Sequence, residues 1–368
     1  MERYNYLILL SYVYNLWRSV YGIEPGLSLS TPEDKLKEDE NCFGVRAASC
    51  YLLNRKERST YGLMLKGQVL MENRNTYVEK GNKAWTKCKD FSSKLPYHCR
   101  DSSRFSMPLR DDKQLCTHYD NVPFGGVNAK GSEFPHMALL GYGAERESAQ
   151  WLCGGSVISE RFILSAAHCS SEPRVGNVTF AALGILKRTD LNDNHPVYKI
   201  KAIIKHPEYI SPCKYHDIML LKTANEINFG KSILPACLDT GKVCDNVLTA
   251  TGWGRQGPKG ELGNHLQAMT LHKYNDDWCS ILFPPHRHFK NGYDNVTQMC
   301  YGRADKLVDT CEGDSGGPLQ HSMNADCVYH ILGITSFGKD GGTPGKAGIY
   351  TRVRYYVPWI ESIIWTND

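Results

Sequence analysis

From Phe124 onward the chain runs in short apolar stretches. Ser156-Val157-Ile158-Ser159, Phe162-Ile163-Leu164, Tyr198 to Ile204 and Ile331 to Phe337 are rich in β-branched residues and separated by Gly, Pro and Asn. Runs of this length and punctuation predict an all-β sandwich or barrel. One segment departs from the pattern. Val357, Ile360, Ile363 and Ile364 follow helical spacing after Arg354 and predict a short amphipathic helix closing the chain. Upstream the pattern is weaker. Residues 23–41 are polar and rich in Pro and charge, as a linker is, and residues 101–122 form a second charged, apolar-poor linker holding Cys116. Between them, residues 42–100 hold Cys42, Cys50, Cys88 and Cys99. At the start, Arg3, the apolar stretch Leu7 to Leu16 and the small residues near Val20-Tyr21-Gly22 predict a signal peptide over residues 1–22. Tyr12, Tyr14 and Asn15 dilute that stretch and leave a buried amphipathic helix as the alternative.

Composition narrows the class. The chain has 368 residues, room for about two domains at ~150 residues each. Its 41% hydrophobic content supports a core and excludes a mainly disordered chain. The net charge of +4 carries no long Lys/Arg run, which argues against a nucleic-acid partner. No apolar stretch is long enough to span a membrane, and no membrane partner is expected. The 14 cysteines are an even number and point to disulfides and an oxidising, extracellular compartment. The triplets Asn177-Val178-Thr179 and Asn295-Val296-Thr297 are candidate glycosylation sites, at Asn177 and Asn295, and fit secretion.

The chemistry concentrates in Cys311-Glu312-Gly313-Asp314-Ser315-Gly316-Gly317-Pro318. A nucleophilic serine needs an exposed hydroxyl and N–H groups aimed at the developing oxyanion. Gly313 allows close backbone approach, and its N–H with that of Ser315 makes a candidate oxyanion hole. His168 ends the apolar run Leu164-Ser165-Ala166-Ala167-His168-Cys169. Asp217 opens another, His216-Asp217-Ile218-Met219-Leu220-Leu221. Alone, each is more often a core histidine or a strand cap. Together they fit a triad in which Asp217 orients His168 and His168 takes the proton of Ser315.

With these motifs the sequence resembles the chymotrypsin/trypsin family. Trp151-Leu152-Cys153-Gly154-Gly155-Ser156, Ala250-Thr251-Gly252-Trp253-Gly254 and Gly348-Ile349-Tyr350-Thr351-Arg352-Val353 add to the match, over residues 123–368. The resemblance implies two β-barrels, with part of the triad on the first and the serine on the second. It implies a pocket with Asp309 at its floor and Ser336, Gly338 and Gly348 in its wall, hence cleavage after Arg or Lys. Phe337 stands where the family more often has Trp. It implies bridges Cys153–Cys169 and Cys279–Cys300. No cofactor and no metal site is expected. The calcium loop of some members begins after a strand glycine, here Gly184, and the next residue, Ile185, offers no oxygen.

Glu133-Phe134-Pro135-His136-Met137-Ala138 and Gly333-Ile334-Thr335-Ser336-Phe337-Gly338 resemble the Snake-like branch of arthropod clip-domain proteases. That likeness implies a small six-cysteine clip module over residues 42–100. Here it is degenerate, since Lys56 and Arg100 stand where two cysteines are expected. It implies pairs Cys42–Cys99 and Cys50–Cys88, and a tie from Cys116 to Cys237. Cys213, Cys244, Cys311 and Cys327 are left over and allow three full pairings. Gly341 replaces the expected partner of Cys311, which predicts a more mobile pocket edge.

The activation junction departs from the family. There a cut exposes a new N-terminus, usually Ile-Val-Gly-Gly, whose ammonium pairs with the acid beside the nucleophile, here Asp314. This chain reads Asn121-Val122-Pro123-Phe124-Gly125-Gly126, and the nearest upstream basic residue is Lys113. Three readings stay open: an unusual cut, such as one after Val122; a homologue locked as a zymogen and used as a binding cofactor; or an altered transcript at the junction. The expectation is a secreted trypsin-like endopeptidase zymogen in an extracellular cascade of immune, melanisation or developmental signalling. Its implied partners are a downstream protease zymogen, an upstream activating protease and a serpin-type inhibitor.

Overall fold

The computed structural model describes residues 82–93, 127–191, 195–241, 243, 245–255, 261–303, 314–323, 328–338 and 347–366. The expected signal peptide, both linkers, most of the clip segment and Pro123-Phe124 lie outside these residues. So do Asp309, Gly313, Gly341 and the cysteines at 42, 50, 99, 116, 244, 311 and 327.

After helix α1 (Asn82–Ser93) and the short strand β1 (Val127–Asn128), the chain builds a first barrel. Its strands are β2 (Met137–Tyr142), β3 (Gln150–Ser159), β4 (Phe162–Ser165), β5 (Ser171–Glu172), β6 (Gly176–Leu183), β7 (Val197–Lys205) and β8 (Met219–Thr223). Six of them run in the order β2-β3-β4-β8-β7-β6, and β2 pairs with β6 to close the ring. After β9 (Cys237–Leu238), a second barrel follows from β10 (Val247–Gly252), β11 (Gln267–Lys273), β12 (Gln298–Gly302), β13 (Pro318–Met323), β14 (Val328–Gly338) and β15 (Ala347–Arg352). It closes through β11 and β12. Helix α2 (Asp276–Leu282) lies between β11 and β12, and α3 (Val353–Ile364) ends the described chain. All four apolar runs read as strands are strands, and the C-terminal periodicity is α3.

Burial explains the patterning. Residues of β2 are buried throughout, because one face lines the barrel and the other is covered. In β7, Lys199 and Lys201 point outward between half-buried neighbours, the alternation of a one-sided strand. Leu140, Val157, Ile163 and Leu220 fill the first barrel, and Leu248, Leu271, Leu319 and Leu332 the second. Each such side chain contributes about 1.5–3 kcal/mol by leaving water.

Helix α1 is part of this body. Ala84, Cys88 and Phe91, at helical spacing, are its buried face. Ala84 joins the core that contains Val357 and Ile360 of α3, and Phe91 meets Phe229 edge-on. The N-terminal end of α1 lacks an acidic residue in its first turn, and α3 supplies one. The Ala84 amide donates to Glu361 Oε1 at 2.8 Å, and Lys83 Nζ donates to the carbonyl of Trp365, the C-cap of α3, at 2.9 Å. The two helices thus cap each other's open ends.

This packing corrects two expected disulfides. Cys88 is bonded to Cys237, with Cα atoms 5.2 Å apart, so it is not paired with Cys50, and Cys237 is not paired with Cys116. The reason is the docking of α1. Its apolar face lies over β9, and Cys88, Cys237 and Val328 form one buried cluster. Cys153–Cys169 and Cys279–Cys300 are bonded to each other, and Cys213 is disulfide-bonded as well.

Candidate active site

His168 sits in a 3-10 turn, Ala167–Ser170, directly after β4, and Asp217 lies just before β8. Antiparallel pairing of β4 with β8 brings these two ends together, with Ser165 opposite Met219. The Asp217 carboxylate then grips His168 twice. Oδ2 lies 2.7 Å from Nδ1, and Oδ1 accepts the His168 backbone N–H at 2.8 Å. This fixes both the tautomer and the orientation of the ring. The other ring nitrogen, Nε2, is the one available for proton transfer and lies 3.6 Å from Cys169 Sγ.

Asp217 is fully buried. Burial alone pushes its carboxyl upward, but the charge and hydrogen bond of His168, the Ser336 hydroxyl and the His168 amide outweigh that and hold it below its usual range. The Ser336 hydroxyl comes from β14 of the second barrel and donates to Oδ2. Thr351 of β15 donates its hydroxyl to the Asp217 carbonyl at 2.9 Å. The acid is therefore seated by both barrels.

Ser315 stands in a turn at the entrance to β13, half-buried. Backbone bonds fix that turn. The Gly154 amide of β3 donates to the Ser315 carbonyl at 2.8 Å, the Gly316 amide to the Thr335 carbonyl at 2.9 Å, and the Gly317 amide to the Asp314 carbonyl at 2.9 Å. Gly316 takes φ 77°. A Cβ there would meet Ser165 Oγ at 2.2 Å and the Gly154 carbonyl at 2.6 Å. The serine turn is thus pressed against the strand end that carries His168. The Asp314 side chain lies over the Gly252–Gly254 bend, where the Gly254 amide donates to Oδ1 at 2.9 Å. A Cβ at Gly252 would meet that oxygen at 2.0 Å, so the bend needs glycine.

Of the expected pocket wall, Gly338 and Gly348 face each other across β14 and β15. Ser336 is buried with its hydroxyl turned toward Asp217. Phe337 packs edge-on against Phe283 and Phe289. Asn177 and Asn295 are both exposed, and Asn295 Nδ2 donates to Asp276 Oδ2 at 2.9 Å. Ile185 is buried in an apolar cluster.

Sequence reasoning did not find the roles of Thr351 and Gly154, or the buried link between barrels in which His136 Nε2 meets Gln320 Oε1 and Gln320 Nε2 donates to Thr251 Oγ1 at 3.2 Å. His136, Gly154 and Thr351 lie inside quoted motifs, but nothing in their spacing states the contact.

Two closed barrels, with an acid-oriented imidazole on one and a serine turn on the other, define the architecture of a nucleophilic serine hydrolase. The sequence profile described as Trypsin matches residues 123–360, and the chain belongs to that family. It is 34% identical over 289 residues to Serine protease snk of Drosophila melanogaster, covering 76% of this chain and 64% of that protein. It is 32% identical over 257 residues to CLIP domain-containing serine protease C9 of Anopheles gambiae, covering 66% of this chain and 68% of the relative. With CLIP domain-containing serine protease B4 of the same mosquito it shares 36% over 261 residues, covering 66% and 70%. The chain thus spans roughly two thirds of the length of these relatives. Among the described residues no helix is long and apolar enough to cross a membrane.

Proposed function

We propose that this protein is a secreted serine endopeptidase zymogen that cleaves after Arg or Lys in an extracellular proteolytic cascade. The observation that carries the reading is the double grip of Asp217 on His168, beside a serine turn bonded to the same barrel through Gly154 and Ser315. In the reaction, His168 takes the proton of the Ser315 hydroxyl as its oxygen attacks the scissile carbonyl. Asp217 holds the imidazole and stabilises the imidazolium. The N–H groups of Gly313 and Ser315 receive the oxyanion. His168 returns the proton to the leaving amine, and water releases the acyl group by the same route. Asp309 pairs with the basic side chain of the substrate.

The names of the relatives, serine proteases of which two are CLIP domain-containing, support proteolysis of a protein substrate, and the extracellular cascade is part of the proposal. The degenerate clip over residues 42–100, the signal peptide and glycosylation at Asn177 and Asn295 belong to the same proposal. The second reading, a zymogen-locked binding cofactor, rests on Pro123-Phe124, which replace the usual new N-terminus. Pro123 would present a secondary amine with a fixed φ to Asp314.

A serine-directed active-site probe distinguishes the two. The secreted chain is labelled before and after treatment with candidate activating proteases, and the product is sequenced from its N-terminus. Labelling of Ser315 after a cut near residue 122 is the expected result. Absence of labelling under every treatment favours the cofactor.

A further inference from the structure

Behind the catalytic aspartate lies a cluster that the reaction does not use. β7 ends at Lys205, and His206 follows. The His206 amide donates to the Ile218 carbonyl at 3.0 Å, which ties this end of β7 to the segment carrying Asp217. A tight turn, with the Tyr209 amide donating to the His206 carbonyl at 3.0 Å, folds Glu208 back over the ring. His216, the residue before Asp217, takes a left-handed backbone with φ 53°, uncommon for a residue with a Cβ. That conformation places its ring parallel to His206, with centroids 5.4 Å apart and planes 14° apart.

The consequence is convergence of donor atoms. Glu208 Oε2 lies 3.5 Å from His216 Nδ1 and 3.9 Å from His206 Nδ1. One donor atom from each of the three residues falls within 4.8 Å of the others. Zinc binds imidazole nitrogen and carboxylate oxygen at about 2.0–2.2 Å, which sets tetrahedral donors about 3.3–3.5 Å apart. The donor spacings are therefore close to that geometry, and the two nearly parallel rings must tilt for both lone pairs to meet one ion. We propose that His206, Glu208 and His216 form a binding site for a divalent cation of the Zn2+ class, directly behind the catalytic aspartate.

Further contacts define the ligand set. The Glu208 amide donates to His206 Nδ1 at 3.3 Å, so that nitrogen is unprotonated, and this long contact must give way for its lone pair to reach an ion. Trp359 and Tyr356 hold the His206 ring edge-on, at 5.0 Å each. Tyr356 OH also lies 3.0 Å from His216 Nδ1 and must give way to the ion. Three protein ligands leave a fourth tetrahedral position for a solvent water. Glu208 is 47% exposed and opens the site to solvent ions. Two other groupings among the described residues involve Cys153 and Cys169 with His168, and Cys88 and Cys237 with His330. Their sulfurs are committed to disulfides and are not thiolates. The site goes beyond the expectation of no metal, because its ligands follow no recognised sequence spacing.

The test is titration of the full secreted chain with ZnCl2 by calorimetry, and with CoCl2 by visible absorption. We expect one Zn2+ equivalent, an intense four-coordinate Co2+ spectrum and a rise in melting temperature of roughly 5 °C at a hundredfold excess over Kd. E208A, a change at an exposed residue, weakens binding by roughly tenfold or more, and H206A abolishes it. Binding persists in H168A and in H288A. Zn2+ affinity unchanged in E208A, or lost in H168A, overturns the proposal.

Discussion

Ser336 and Asp217 belong to different barrels, yet the Ser336 hydroxyl donates to the same carboxylate oxygen that holds His168 Nδ1. The seating of Asp217 thus depends on correct docking of the two barrels. Its ionised form is favoured by partners from both sides.

Ser336→Ala removes one of these donors. A hydrogen bond to a charged group contributes about 1.5–3 kcal/mol, and that is the expected loss of stability near pH 7. The sign follows from the lowered Asp217 pKa. The stabilisation is complete above the unfolded carboxylate value and is lost as pH falls through the folded one. The gap between wild type and variant should therefore close in acid. Urea denaturation at pH 7 and pH 2.5 measures it, and a gap that widens in acid would contradict the assignment.

Gly316→Ala is expected to be severe. A left-handed residue with a Cβ costs about 1–2 kcal/mol, and overpacking adds about 1–3 kcal/mol. The new methyl would collide with the Gly154 carbonyl, a backbone atom that cannot rotate away. We expect a lower urea midpoint and at least roughly a hundredfold loss of probe labelling at Ser315. Wild-type labelling in this variant would show that the turn is not held as described.

Peptide mapping under non-reducing conditions should recover Cys88 joined to Cys237. The double variant C88S/C237S should lose about 2–5 kcal/mol, the usual effect of deleting a native bridge. Recovery of a Cys116–Cys237 peptide in place of Cys88–Cys237 would refute this arrangement.

The buried His136 ring carries a pH signature. Burial lowers its pKa from 6.5 to about 4, in spite of the hydrogen bond to Gln320. The folded state prefers the neutral ring, so stability is full above the unfolded value and declines as pH falls from 6.5 toward 4. The shift corresponds to roughly 3 kcal/mol. His136→Gln should flatten that decline in denaturation curves taken at pH 7 and pH 4.5, and parallel slopes would count against a neutral buried ring.

What the sequence made legible followed from local pattern. Phe162-Ile163-Leu164 and Val357 to Ile364 carried enough periodicity to declare a strand and a helix. His168, Asp217 and Ser315 were recognisable because their neighbours are as constrained as they are. The failures were of long range. Cys88 and Cys237 are 149 residues apart, and cysteine spacing states no pairing across that distance. Ser336 was read as pocket wall from its place beside Gly338, and nothing in that local pattern states that its hydroxyl donates to Asp217, 119 residues away. His206, Glu208 and His216 share no helical or strand period; only the turn after β7 makes them neighbours.

The bond between α1 and β9 also bears on what happens after cleavage. A cut anywhere in residues 94–126 leaves two polypeptides and one particle. The N-terminal portion does not diffuse away, so it stays at the high local concentration of an intramolecular partner. Any surface that portion recognises then becomes an address for the mature catalytic body. Where the protein acts would be decided by the half that performs no chemistry.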